Sequence, residues 1–344
     1  MSQTHHMTRG PSPTLEGGAF EDLVERHRRE IELHCYRMLG SIHDAQDAAQ
    51  DAFLGAWRGR EAFEGRSSFR GWLYRIATNT CLRALERRAT ARRIVPQRHG
   101  PAVAFEALRD PADDIAWLEP FPIDPVAAIP DATPGPAAHV EIREAVQLAF
   151  VAAIQDLPPR QRAALLLHDV IGLSSEETAA ALETSIAAVN SAIQRARATL
   201  RRRYPSGQPS VAGVPDDAQR RLLDRYVRAW EATDVDDFVG LLASDARWTM
   251  PPWREWYVGR AAIGAFLAWV WRRGSGRDRL VPTWANGQPA FGYYRIVGDG
   301  PAWRPFAIQV VGVDRDRVRS IDNFVNADLF ADFGLPARLT ATDR

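Results

Sequence analysis

The chain has 344 residues, 46% of them hydrophobic, with 43 cationic and 43 anionic side chains, and no apolar run is long enough to cross a bilayer as a helix. This excludes a helical membrane protein, and two cysteines exclude a disulfide-framed miniprotein, leaving two or three soluble domains in a cytoplasmic setting as the expectation. The zero net charge hides a segregation: residues 58–98 carry eleven arginines against three glutamates, whereas residues 99–145 carry nine acids against two arginines.

In chain order, residues 1–18 are polar and broken by Pro and Gly, so they read as a disordered lead rather than a signal peptide. Phe20, Leu23, Val24, His27, Ile31, His34, Cys35 and Met38 then recur at helical spacing. After a break at residues 40–43, Ala45, Ala48, Ala49, Ala52, Phe53, Ala56 and Trp57 do so again. On this second helix Asp44, Asp47 and Asp51, with Gln50, fall opposite the apolar face, a row suited to a basic partner. A third helix spans about residues 68–88 with Phe69, Trp72, Leu73, Ile76, Ala77, Thr80 and Leu85 inward, closing an all-helical domain at residues 19–98. Along it Arg75, Asn79, Arg83 and Arg87 follow every four residues and Arg88 extends the row; a solvated helix would interleave glutamates, so the row reads as a phosphate-binding face. The preceding loop, with Phe63, Ser67, Ser68 and Phe69, has the hydroxyls and aromatic rings to hold an unstacked base. Cys35 and Cys81 both fall on apolar faces and read as buried thiols, with no metal or cofactor expected.

Residues 99–137 are acidic and Pro-rich, a composition that reads as an extended linker unable to bury a core. Within it Trp117, Leu118 and Phe121 form an apolar island expected to dock on another domain. Helices resume over residues 138–204. Ser174 and Glu177 make a capping box, residues 183–185 a turn, and a second helix starts at Ile186, a helix-turn-helix. Ile186, Val189, Ile193, Ala196 and Leu200 are expected inward, leaving Ser185, Ala188, Ser191, Gln194, Arg195 and Arg197 to face a major groove. After a Pro-bounded break at 205–215, residues 216–336 are rich in tryptophan and in short alternating runs, an α+β domain.

The run from His43 to Arg58, HDAQDAAQDAFLGAWR, resembles the polymerase-binding helix of region two of bacterial sigma factors. Residues 67–79, SSFRGWLYRIATN, resemble the segment that melts and reads the minus-ten element, and Leu157-Pro158-Pro159-Arg160-Gln161-Arg162 with the helix-turn-helix resembles region four. The three in order identify an extracytoplasmic-function sigma factor. The resemblance implies binding of the RNA polymerase core, through its beta-prime subunit, by Asp44, Asp47, Gln50, Asp51, Phe53 and Trp57. It also implies reading of promoter DNA at the minus-ten element by Phe63, Ser67, Ser68, Arg75, Asn79, Arg83, Arg87 and Arg88. Ser185, Ala188, Ser191, Gln194, Arg195 and Arg197 are the corresponding set for the minus-thirty-five element.

From Asp216 onward the element order resembles a SnoaL-like, nuclear-transport-factor-like cone, a fold that usually encloses a pocket; Trp248, Trp253, Trp256, Tyr257, Trp269, Trp284 and Trp303 are its candidate lining, and a small-molecule ligand is an expected partner. Enzymes of that fold commonly pair His with Asp, yet no histidine follows His168, so Asp245, Asp299 or Asp322 would act alone. The domain therefore reads as regulatory. The rival readings are a cyclase- or isomerase-type enzyme fused to a DNA-binding module, and a metabolite-sensing repressor using the helix-turn-helix alone.

Overall fold

The computed structural model describes residues 17–63, 68–87, 93–125, 147–203, 215–274, 277–296 and 302–340. The expectations for Ser67, Arg88, Asp299, the rest of the linker beyond residue 125 and the break before residue 215 lie outside these residues. The chain divides into two compact units: residues 1–39, 43–89 and 158–199 form one, and residues 40–42, 90–157 and 200–344 the other.

The first unit is helical: α1 (Gly17–Leu39), α2 (Ile42–Gly59) and α3 (Phe69–Arg87), with α6 (Pro159–Leu165), α7 (Ser175–Ala181) and α8 (Ile186–Arg203). The alanines of α2 let it lie close to its neighbours, with Ala45, Ala48, Ala49, Ala52 and Ala56 all buried. Cys35 and Cys81 are buried, as their positions on apolar faces lead one to expect. At one end Phe20 meets Trp57 and Phe69 edge-on, and Phe63 lies 5.0 Å from Trp72 between ring centres. His34 is wholly buried, bonded through Nε2 to Thr78 Oγ1 at 2.8 Å, and burial, followed by the Arg37 charge, pushes its pKa down to about 3. The helix-turn-helix has the predicted capping box at its start: Glu177 N donates to Ser174 Oγ, and Ser174 N to the Glu177 carboxylate.

The second unit contains α4 (Pro96–His99), α5 (Leu148–Gln155), α9 (Asp217–Glu231), α10 (Val235–Gly240), β1 (Leu242–Thr249), β2 (Trp256–Val258), α11 (Gly259–Arg273), β3 (Arg279–Ala285), β4 (Gln288–Ile296), β5 (Trp303–Asp314), β6 (Arg317–Phe324) and α12 (Leu329–Asp332). The six strands form one mixed sheet, β2-β1-β6-β5-β4-β3, in which β1 and β6 run parallel and every other pair antiparallel. This is the expected α+β domain. Its core is aromatic: Trp230 stacks on Trp248 at 5.9 Å and meets Tyr293 and Trp271 edge-on, while Tyr226 stacks on Phe291 and donates to Gln309 Oε1 at 3.0 Å.

In the acidic, Pro-rich stretch, burial extends beyond the apolar island expected to dock. Residues 93–125 bury Ala112, Leu118, Phe121 and Ile123 in the second unit. Composition misled because the segment has no core of its own to bury; it lays isolated apolar side chains onto a sheet domain that has one.

Candidate nucleic-acid interface

On α2, Asp47, Gln50, Asp51, Leu54 and Trp57 are exposed, whereas Asp44 and Phe53 are half-buried, Phe53 beneath the Arg28 guanidinium. Five of these lie at spacings of three and four residues, so they share a face. Leu54, 46% exposed, was not among the sequence candidates; its position three residues after Asp51 is the signal that placed it there. Trp57 is held by the Phe20 ring and by Arg60, whose guanidinium lies 3.9 Å from its ring centre.

The arginine row of α3 forms, with Arg75, Arg83 and Arg87 exposed and Asn79 half-buried, but it serves two surroundings. Arg83 and Arg87 line, with Asp51, Leu54 and Arg58 of α2, a groove of about 650 Å³. Thus Asp51, expected to meet protein, and two arginines expected to meet DNA share one depression. Arg75 instead reaches Glu183 at 3.1 Å, and Asn79 Nδ2 donates to Ala181 O at 3.3 Å. Ser68 Oγ accepts from Gly71 N at 3.1 Å, which fastens the start of α3. Arg70 donates to Glu30 at 2.9 Å and to Ile171 O, and Tyr74 OH donates to the same Glu30 carboxylate. Burial raises the Glu30 pKa, but the His27 bond and Arg70 outweigh it, so the net shift is downward.

On α8 the outward set is exposed at Ser185, Ala188, Gln194, Arg195 and Arg197, with Ser191 half-buried. Ile186, expected inward, is 43% exposed: it is the first residue of α8, and the buried stripe begins at Val189. Exposed Arg197 is paired with Asp169 through two bonds, 2.9 and 2.7 Å. Arg195 donates to Ser191 Oγ, one turn back.

In the second unit the linker is gripped at three places. Near β2, Val103 N donates to Trp256 O, Trp256 Nε1 to Gly100 O at 2.8 Å, Trp253 Nε1 to Arg109 O and Ala112 N to Pro252 O, while Phe105 sits edge-on among Tyr257, Phe266 and Trp269. At the β3–β4 turn, buried Asn286 exchanges bonds with Phe121: Phe121 N donates to Asn286 Oδ1 at 2.9 Å and Asn286 N to Phe121 O at 2.8 Å. Between these, Glu119 accepts from Ile42 N at 2.9 Å and pairs with Arg93 at 3.2 Å, and Leu118 packs where a side chain on Gly40, at φ +75°, would stand. Of the expected docking residues, Leu118 and Phe121 are buried and Trp117 half-buried. Phe105, Glu119 and Asn286 were missed, since nothing local distinguishes them.

The tryptophans expected to line a pocket separate into roles: Trp248 and Tyr257 are core, Trp253 and Trp256 hold the linker, Trp303 donates to Arg277 O, and Trp269 packs on Phe105. Trp284 is half-buried in β3. Asp245 is exposed and paired with Arg319 at 3.0 Å. Asp322 accepts from Thr249 Oγ1 at 2.8 Å; burial raises its pKa against the opposing pull of Thr249, Arg247 and Gln97. No group of three or more His, Cys, Asp or Glu among the described residues could hold a metal ion, and no described helix is long and apolar enough to cross a membrane.

Comparison with known proteins finds three families matching successive parts of the chain. Residues 23–91 match Sigma-70 region 2, residues 147–200 Sigma-70 region 4, and residues 223–321 the SnoaL-like domain. The ECF RNA polymerase sigma factor SigG of Mycobacterium tuberculosis is 43% identical over 329 residues, 94% of this chain and 85% of that protein. SigJ of the same organism is 29% identical over 236 residues, 68% of this chain and 64% of that protein. The crystal structure of Mycobacterium tuberculosis SigJ aligns over 92% of this chain and 99% of its own with a TM-score of 0.57 at 22% identity, a likeness of fold. With its two sigma regions and its SnoaL-like domain in this order, the chain belongs to the ECF RNA polymerase sigma factors.

Proposed function

We propose that the exposed face of α2 is the surface through which this sigma factor engages the beta-prime subunit of RNA polymerase. Family membership makes the chain a promoter-directing subunit for transcription initiation; the finer assignment rests on one observation, the row of Asp47, Gln50 and Asp51 set beside exposed Leu54 and Trp57. Acids flanking an apolar ridge suit a basic amphipathic helix, giving steering from the charges and affinity from the ridge. The Asp47→Arg, Asp51→Arg double variant is expected to lose competition for core enzyme while keeping its helical content. Undiminished competition by the folded variant would remove α2 from this role.

In the same reading, Arg75, Asn79, Arg83 and Arg87 act at the minus-ten element and Ser191, Gln194 and Arg195 at the minus-thirty-five element. Losing a bidentate base contact should cost roughly 1 to 3 kcal/mol and relax preference at one position. Footprints of Gln194→Ala and Arg195→Ala with upstream protection unchanged would exclude those two.

The C-terminal domain is assigned a regulatory part, exerted through the linker that it grips at β2 and at Asn286. An aromatic-filled interior and carboxylates already committed to Arg319 and Thr249 support regulation over turnover. Turnover of a small molecule by the full chain would favour the enzyme reading, and a small-molecule ligand of this domain would act by loosening the grip.

A further inference from the structure

The turn of the helix-turn-helix contains a residue that local physics disfavours. After α7 ends at Ala181, Glu183 N donates to Ala180 O at 3.4 Å and Thr184 N to Ala179 O at 3.0 Å, the paired bonds of a Schellman cap. The residue at the centre of such a cap takes a left-handed conformation, which glycine adopts without penalty; here it is Glu183, at φ +52°. Its carboxylate also lies at the carbonyl end of a helix, where a negative charge is unfavourable. Two local preferences are thus overridden at one position.

What the carboxylate gains is Arg75, at 3.1 Å. One turn along α3, Asn79 Nδ2 donates to Ala181 O, the last carbonyl of α7, at 3.3 Å. The leading two polar groups of the α3 row are therefore met by an anionic oxygen and a carbonyl oxygen, the acceptor types that a DNA phosphate and a base edge would present. Both partners belong to the same compact unit.

We propose that Glu183 is an internal stand-in for a DNA phosphate, which closes the α3 row against the helix-turn-helix in the unbound protein and must be displaced when promoter DNA binds. This rests on the reading of α3 as a DNA-binding face. Glycine at 183 would relieve the backbone and remove the carboxylate together, so the wild-type glutamate costs local stability and leaves Arg75 less available for DNA than the simplest alternative would. A contact of this kind sets a small penalty on capture of nucleic acid by free sigma factor, because Arg75 must first give up Glu183, while the exposed pair is weak enough for promoter DNA to displace.

The test is binding of a fluorescently labelled, mixed-sequence single-stranded DNA oligonucleotide by the full-length protein, followed by anisotropy at low salt. Glu183→Gly is expected to bind roughly two- to fivefold more tightly than wild type, the range that release of one exposed ion pair can supply, without a lower melting temperature. Glu183→Gln should gain less, Arg75→Ala should bind more weakly than wild type, and Arg75→Ala with Glu183→Gly should match Arg75→Ala alone. If both Glu183 variants bind as wild type while Arg75→Ala is weaker, the stand-in role is overturned and α3 keeps its assignment. Wild-type binding by Arg75→Ala would overturn the reading of α3 at this position and the proposal with it.

Discussion

The core of the C-terminal unit is made of rings, with Trp230 packed among Trp248, Trp271 and Tyr293, whereas the contacts between region two and region four in the helical unit include partly or fully exposed polar ones: Arg70 to Ile171 O, Arg75 to Glu183 and Asn79 to Ala181 O. Burying an aromatic ring has no aqueous substitute, so such a core opens only by unfolding. A bond to a carbonyl or carboxylate oxygen exchanges with water or phosphate at small net cost. On the proposed reading, the difference separates a permanent scaffold from polar contacts that promoter DNA displaces.

Deleting a ring should break the comparison most visibly if it is wrong. Trp230→Ala is expected to cost about 3 to 5 kcal/mol in the C-terminal unit, seen as an earlier unfolding transition for that unit with the helical one unchanged. A single transition shifted as a whole would mean that the units do not differ in this way.

A smaller effect comes from acid. Burial holds the His34 pKa down to about 3, against about 6.5 for an ordinary histidine, so below about pH 6.5 the unfolded chain binds a proton that the folded chain refuses. Stability from this group is therefore present above pH 6.5 and is lost as pH falls, by about 2 kcal/mol between pH 6.5 and 5. Urea unfolding of the helical unit at both pH values should show this, and His34→Gln should abolish most of the difference; an equal loss in the variant would assign the acid sensitivity elsewhere.

The smallest effect is expected at the surface. Arg197→Ala should change stability by about 0.2 to 1 kcal/mol, since its pair with Asp169 is exposed. A larger loss in denaturant titration would show that this pair is structural and that polar surface contacts carry more of the helical unit than proposed.

Most of the architecture was legible because it repeats: the alanine stripe of α2, the four-residue arginine row of α3 and the Ser174–Glu177 capping box are each written in a short window of sequence. What stayed illegible depends on pairs far apart in the chain. Nothing near Glu183 announces Arg75, nothing near Asn286 announces Phe121, and the Pro-rich composition around Phe105 argued for an extended chain because the rings that receive it come more than a hundred residues later. The spacing that sets Arg197 on the outward face likewise gives no sign of its partner Asp169, 28 residues earlier and just after α6.

The central claim is that the C-terminal unit governs promoter-directed transcription by gripping the linker. Phe105→Ala with Asn286→Gly removes the ring seated among Tyr257, Phe266 and Trp269 and the side-chain acceptor for Phe121 N, while glycine keeps the left-handed backbone that Asn286 adopts at φ +54°. Transcription from a cognate promoter, measured at equal concentrations of variant and wild type with saturating core enzyme, is predicted to rise while affinity for core stays the same. Equal transcription by the folded variant and the wild type would contradict the account.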